Sequence, residues 1–279
     1  MKKLIYSLPT SLFEIFAVEF NGYGFEILNR DTEETVFAIY VDDKELKSVK
    51  EAVQEIFEDL GNGTLILEED IKEENWEEKW KEHFKPIKIP PFVIIPEWEI
   101  YEGDLIPIKL KIGKAFGTGL HPSTQIVLSL IPEYIEKEDS VLDIGTGSGI
   151  LSIASKKIGA GLVKGIDIQP EAVEECKTNS WENEVEVLCE RKSFEDINER
   201  YDIVLANLQI DIFREAFKKI SKLFRKYLIV SGIYGEKERS QILKLSKDLN
   251  LEVLKEVSKK DEGLEEKWYG FVLRHSKKD

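Results

Sequence analysis

The chain is 279 residues long, 42% hydrophobic and 33% charged, with a formal net charge of −15. That length suits two domains, or one domain with a substantial extension, and the apolar share is enough for packed cores. So acidic a chain argues against nucleic acid as the principal partner, because proteins that grip phosphate backbones carry a basic face. It suits a basic partner instead.

The acidity is uneven. Residues 1–70 hold sixteen Asp and Glu against six Lys and Arg, a surface able to recruit a Lys-rich protein by charge complementarity. The abundance of Glu and Lys resembles a thermophile's bias. Cys176 and Cys189 are too few for a disulfide framework and read as small buried apolar residues in a reducing cytoplasm. Lys2 and Lys3 precede apolar residues, but Pro9, Glu14 and Glu19 interrupt the run, so it is not read as a signal peptide. No apolar stretch approaches the roughly 20 residues needed to span a bilayer.

In chain order, Lys2 to Leu8 reads as a strand. A helix follows Pro9 and Thr10, with Leu12, Ile15, Phe16 and Glu19 at helical spacing. Phe25–Leu28 and Val36–Val41 read as strands, residues 43–60 as a second amphipathic helix ended by Gly61-Asn62-Gly63, and Thr64–Leu67 as another strand. The order βαββαβ fits a small ferredoxin-like α/β sandwich over residues 1–70. Residues 71–112 read as a linker: a helix with Trp76, Trp80 and Phe84 on one face, then an extended or hairpin stretch from about residue 86.

From about residue 113 strands and helices alternate. Strands are expected at Ser140–Ile144, Val163–Ile168, Val185–Leu188, Ile203–Ala206 and Tyr227–Val230, and helices at Ile150–Ile158, from Pro170, at 209–224 and at 236–249. A final edge hairpin is expected near 251–257 and 267–274. This is an α/β, doubly wound, Rossmann-like domain over residues 113–279.

Four segments carry chemistry. In Val141-Leu142-Asp143-Ile144-Gly145-Thr146-Gly147-Ser148-Gly149 a strand enters a glycine turn that opens a helix, where a ligand must lie against the main chain. The spacing is G-x-G-x-G, not the dinucleotide G-x-G-x-x-G, and no G-K-[ST] marks a P-loop. Asp167 ends the second strand 22 residues after Gly145, placed to accept hydrogen bonds from the ribose hydroxyls of an adenosine. Asn207 ends the fourth strand, where doubly wound sheets bind ligands, and offers an amide and a carbonyl to orient a ligand or a reacting amine. The stretch Gly113–Thr124 is rich in Gly and hydroxyls and reads as a loop able to fold over a bound cofactor.

These segments resemble the ribosomal protein L-eleven methyltransferase (PrmA) family over most of residues 70–274. The most specific element is AFGTGLHPST at 115–124, followed by VLDIGTGSGILSIA, GIDIQPEAV at 165–173 and VLAN at 204–207 at family-like spacing. The resemblance implies a class I S-adenosylmethionine-dependent enzyme that methylates amino groups of that large-subunit protein, lysine side chains and the N-terminal amine among them, with the N-terminal domain binding the substrate. It assigns cofactor contacts to Thr124, Gly145, Asp167 and Asn207, with Phe116, Thr118 and Gly147 as additions from the same segments. Asn207 and Leu208 would position the amine, with no obligatory base. Lys111-Ile112-Gly113 stands where the family has Asp-Pro-Gly, and Leu208-Gln209-Ile210 where it often has Ile-Leu-Ala after the Asn.

His121 is the best candidate for a base, a structural hydrogen bond in the loop being its simpler role. No Cys/His spacing suggests zinc, and no G-x-S-x-G nucleophile motif occurs. The competing readings are another basic protein, a small amine or RNA as substrate, or a cofactor-binding sensor without catalysis. Amino-group enzymes acting on nucleic acid often carry Asn-Pro-Pro-[YF] at the fourth strand, and this chain has Asn207-Leu208-Gln209-Ile210. A cytoplasmic monomer with no direct nucleic-acid or membrane contact is expected.

Overall fold

The computed structural model describes residues 2–20, 24–42, 44–70, 86–96, 98–111, 121–261 and 264–276. The expected linker helix, with Trp76, Trp80 and Phe84, and the greater part of the 113–124 stretch, with Phe116 and Thr118, lie outside the described residues. Two compact units emerge. One is built mainly on residues 2–70 and the other on most of residues 86–276.

The first unit runs β1 (Lys2–Pro9), α1 (Thr10–Glu19), β2 (Phe25–Arg30), β3 (Glu34–Val41), α2 (Leu46–Leu60) and β4 (Thr64–Asp70). Its four strands form an antiparallel sheet in the order β2-β3-β1-β4, the ferredoxin-like arrangement expected from the sequence. Alternation decides which face is buried. Leu4, Tyr6 and Leu8 point inward from β1, against Phe13 and Phe16 of α1 and Val49, Val53 and Phe57 of α2. Phe16 and Phe37 anchor this core with ring centroids 4.8 Å apart. Gly61, at φ 66°, closes α2, and its N–H returns to the last turn.

In the second unit, β5 (Ile87–Ile89), β6 (Phe92–Pro96) and β7 (Ile106–Leu110) form a small sheet. The β5–β6 pair is antiparallel and the β6–β7 pair parallel, so the stretch expected to be extended or hairpin is a three-stranded element. The remaining elements are α3 (Pro122–Tyr134), β8 (Val141–Ile144), α4 (Ile150–Lys157), β9 (Val163–Asp167), α5 (Pro170–Glu182), β10 (Leu188–Arg191), β11 (Tyr201–Asn207), α6 (Ile210–Ile220), β12 (Phe224–Tyr234), α7 (Gly235–Asp248), β13 (Leu251–Lys260) and β14 (Lys267–His275).

Seven of these strands form one sheet in the order β10-β9-β8-β11-β12-β14-β13. The first five run parallel, and β14 enters antiparallel between β12 and the edge strand β13. Apolar residues from α3 and α4 pack with one set of strand side chains, and those of α6 and α7 with the other. The central strands are therefore buried on both faces and read as unbroken apolar runs. The carboxyl ends of β8, β9 and β11 lie at the middle of the sheet, where the chain order reverses.

Three expectations are corrected. The strand expected at Val185–Leu188 lies at Leu188–Arg191. Val185 and Val187 pack their side chains against the core beside the end of α5, and the ladder to β9 starts only at Leu188. The segment containing Ser123 and Thr124 is not all loop, because α3 begins at Pro122. Cys176 and Cys189 are buried as expected, but they are joined in a disulfide, their Cα atoms 6.1 Å apart. The packing of α5 on β10 brings the two together. No described helix is long and apolar enough to cross a membrane.

Candidate active site

The glycine turn after β8 is held in place by its neighbours. Gly145, Gly147 and Gly149 have φ of 70°, 52° and 81°, a region that L side chains rarely enter. Gly145 N and Thr146 N both donate to the Ile166 carbonyl of β9, at 2.9 and 3.0 Å. A Cβ on Gly149 would lie 3.1 Å from both the Cα and the Sγ of Cys176, so α5 packs directly on the turn. Asn179, also on α5 and fully buried, donates from Nδ2 to the Ser148 carbonyl at 2.8 Å, and its Oδ1 accepts from Lys111 N at 2.8 Å.

Asp143 sits at the base of this turn. Its Oδ2 accepts from Thr146 Oγ1 at 2.8 Å and from Ser152 Oγ at 2.7 Å. Its Oδ1 has no hydrogen-bond partner among the described residues. Complete burial pushes the carboxyl up to about 6. The two hydroxyl bonds oppose that shift, and the nearby charge of Asp167 adds to it.

Asp167 ends β9. In this structure its Oδ2 accepts from Gly147 N at 3.1 Å and its Oδ1 from Gln169 N at 3.0 Å. The sequence expectation placed Gly147 and Asp167 at one site, and their side-chain-to-main-chain bond joins them. Ile168 next to the acid is 67% exposed, an apolar surface beside a carboxylate.

Asn207 ends β11, opposite Ser231 of β12. Its Nδ2 donates to Thr124 Oγ1 at 3.3 Å, which brings two more of the expected residues together. Thr124 is buried in the first turn of α3. Leu208 N donates to the Ser231 carbonyl at 3.2 Å. The side chain of Leu208 reaches Gly145, where a Cβ would come within 2.7 Å of its Cδ2. Thr124, Asn207, Leu208 and Gly145 thus form one contiguous wall, and Gly147 and Asp167 are linked to it through the glycine turn.

His121 caps α3. Its Nδ1 lies 2.7 Å from Ser123 Oγ and accepts from Ser123 N at 3.3 Å, and its ring meets Trp268 edge-on at 4.4 Å between centroids. Sequence reasoning missed α3, although its signals were present: Pro122 at the first helical position and Ile126, Val127, Leu130 and Ile131 at helical spacing. It also missed Asn179, whose role depends on contacts to residues 31 and 68 positions away.

The arrangement fits an adenosyl cofactor. The glycines let a ligand lie on the main chain at the end of β8, the Asp167 carboxylate stands at the next strand end to accept from a ribose, and Ile168 offers an apolar face beside it. Among the described residues no group of three or more His, Cys, Asp or Glu could hold a metal ion. A doubly wound sheet with an antiparallel strand inserted before its edge, a G-x-G-x-G turn and an acid ending the neighbouring strand defines the class I S-adenosylmethionine-dependent methyltransferases.

Comparison with known proteins narrows the class. The model of the family described as ribosomal protein L11 methyltransferase (PrmA) matches residues 17–264, and the chain belongs to that family. It is 40% identical over 274 residues to a ribosomal protein L11 methyltransferase of Aquifex aeolicus, covering 98% of each chain. It is 38% identical over 214 residues to the protein of the same name from Dictyoglomus thermophilum, covering 75% of this chain and 71% of that one. Among solved structures, a ribosomal protein L11 methylase from Lactobacillus delbrueckii subsp. bulgaricus superposes with a TM-score of 0.62 at 26% identity, over 70% of this chain and all of the other. S-adenosylmethionine is the cofactor, and the chain is a methyltransferase.

Proposed function

We propose that this enzyme transfers methyl groups from S-adenosylmethionine to amino groups of ribosomal protein L11, lysine side chains and the N-terminal amine among them. In this reading Thr124, Gly145, Gly147, Asp167 and Asn207, with Phe116 and Thr118, hold the cofactor, and Asn207 and Leu208 position the amine. One observation carries the reading. Asn207 stands at the carboxyl end of β11 with its amide turned to Thr124 Oγ1, which leaves its carbonyl to orient a donor.

The cofactor supplies an electrophilic methyl group on a sulfonium, with an excellent leaving group built in. The protein's task is then to bind, orient and desolvate. A lysine amine, with an unperturbed pKa near ~10.4, must be neutral to attack, and a site shielded from water favours that form. A neutral primary amine carries two N–H donors. Asn207 Oδ1 and the Leu208 carbonyl are acceptors suited to them, and they leave the lone pair free to face the methyl group. Orientation of this kind contributes roughly 7–11 kcal/mol in well-aligned model reactions. No residue need act as a base, and His121 keeps its bond to Ser123.

The N-terminal unit fits recruitment, since residues 1–70 concentrate the acidic charge and a Lys-rich substrate complements it. The enzyme is taken to act as a cytoplasmic monomer without direct contact to nucleic acid. The site reading is tested with Asn207→Ala and a labelled methyl donor. The expected result is a turnover number reduced by about a hundredfold with L11 as substrate; turnover at the parent rate would overturn it.

A further inference from the structure

At the end of β11 the main chain comes unusually close to β12. Between Val230 and Ile233 the β12–β14 pairing shifts register. Val230 faces Phe271 and Ile233 faces Tyr269, so Ser231 and Gly232 together oppose the single residue Gly270, which is a β-bulge. Bulges re-aim the chain and occur often beside active sites. Here the bulge sits where β12 meets Asn207, which pairs with Ser231. The hydroxyl of Ser231 pins the bulge by donating to the Tyr269 carbonyl at 3.2 Å.

Gly232 has φ 86°. A Cβ there would lie 2.4 Å from the Leu208 carbonyl oxygen, 3.0 Å from the carbonyl carbon and 3.1 Å from Asn207 Oδ1. The first contact is to main chain, which cannot rotate away as a side-chain tip does. Two acceptor oxygens therefore converge on the space a side chain would fill. Gly270 across the bulge is also closely packed, since a Cβ there would come within 2.4 Å of Ile126 Cγ2 and 3.2 Å of the Val230 carbonyl oxygen.

We propose that Gly232 is a positioning residue for methyl transfer: its bulge, free of a Cβ, sets the Leu208 carbonyl and Asn207 Oδ1 as a paired acceptor for the substrate amine. The inference rests on the site reading given above for Asn207 and Leu208. It extends that reading to a residue on the neighbouring strand β12 that packs against both acceptors. A Cβ at position 232 pushes the Leu208 carbonyl outward and misdirects the amine. Of the cofactor's contacts, Gly147 in the turn after β8 and Asp167 at the end of β9 lie away from that Cβ, and the Asn207 amide keeps its bond to Thr124 Oγ1.

The test uses the full-length enzyme with Gly232→Ala and Gly232→Asn. Asn accepts positive φ more readily than Ala but carries the same Cβ, so the pair separates backbone strain from collision. The readouts are methyl transfer to L11 per cofactor-binding site, and cofactor affinity by calorimetry. The expected result is that both variants lose about a hundredfold in turnover and bind cofactor as the parent does. Parent-like turnover in either variant would overturn the inference. So would loss of folding or of cofactor binding in both, which would make Gly232 a residue of the fold alone. Asn207→Ala, run alongside, separates the two claims. If it is fully active the underlying site reading fails, and if it is slow while the Gly232 variants are fast only the present inference fails.

Discussion

The side-chain amide of Asn179 donates to the Ser148 carbonyl at 2.8 Å while its Oδ1 accepts from Lys111 N at 2.8 Å. One fully buried side chain on α5 thus ties the glycine turn to the end of β7. Asn183, one helical turn on, repeats the device by accepting from Lys109 N at 2.9 Å. Together the two asparagines pair α5 with β7 much as a neighbouring strand would, and they explain why a polar pair is tolerated in a buried helix face.

Asn179→Ala removes the hydrogen bonds to the buried Ser148 carbonyl and to Lys111 N. Each such loss costs about 1–3 kcal/mol. The variant is expected to unfold at lower denaturant concentration and to bind cofactor more weakly, because the turn loses its anchor. Urea unfolding and calorimetry check the two effects. An unchanged midpoint with unchanged affinity would show that the bridge is replaced by water.

Asp167→Ala is expected to weaken S-adenosylmethionine binding by more than about tenfold, the loss of one or two hydrogen bonds to a charged group. The carboxylate also holds Gly147 N and Gln169 N, so its removal loosens the turn as well. Calorimetric affinity equal to the parent's would count against the ribose assignment.

Much of this was legible in the sequence. The βαββαβ order of the first unit, the strand–turn–helix around Gly145 and the acid at Asp167 follow from local periodicity and from glycine's conformational range. What was not legible depends on partners distant along the chain. The Ser231–Gly232 bulge exists only when β12 is counted against β14, the Asn179 bridge only when α5 meets β7, and the disulfide only when α5 packs on β10. The start of α3 was legible in principle, but Pro122 and the apolar spacing after it were outweighed by the Gly and hydroxyl content just before.

The buried acid beneath the turn gives a pH signature. Because burial holds the Asp143 carboxyl up at about 6, the folded chain keeps a proton that the unfolded chain releases near ~3.9. The Asp143 contribution to stability therefore falls as pH rises through that window and levels off above it. Asp143→Asn removes the titration. Its stability relative to the parent is expected to rise by up to about 3 kcal/mol between acid and neutral pH. Urea unfolding at a series of pH values measures this, and parallel curves for the two proteins would contradict it.

Deleting residues 1–70 removes the acidic unit and leaves the sheet that carries Asp143, Asp167 and Asn207. Cofactor affinity is expected to survive, and methylation of L11 to be lost. Full activity in the truncated chain would sink recruitment by the N-terminal unit.

Methyl transfer to the amines of ribosomal protein L11 leaves a direct mass signature. Intact-mass spectrometry of purified L11, incubated with this enzyme and S-adenosylmethionine, tests it most directly. The predicted result is a mass gain in whole methylene steps, with fragmentation placing the added groups on lysine side chains or the N-terminal amine. An unchanged L11 mass, with cofactor binding confirmed in the same sample, would contradict the claim and turn the search to other basic proteins, small amines and RNA.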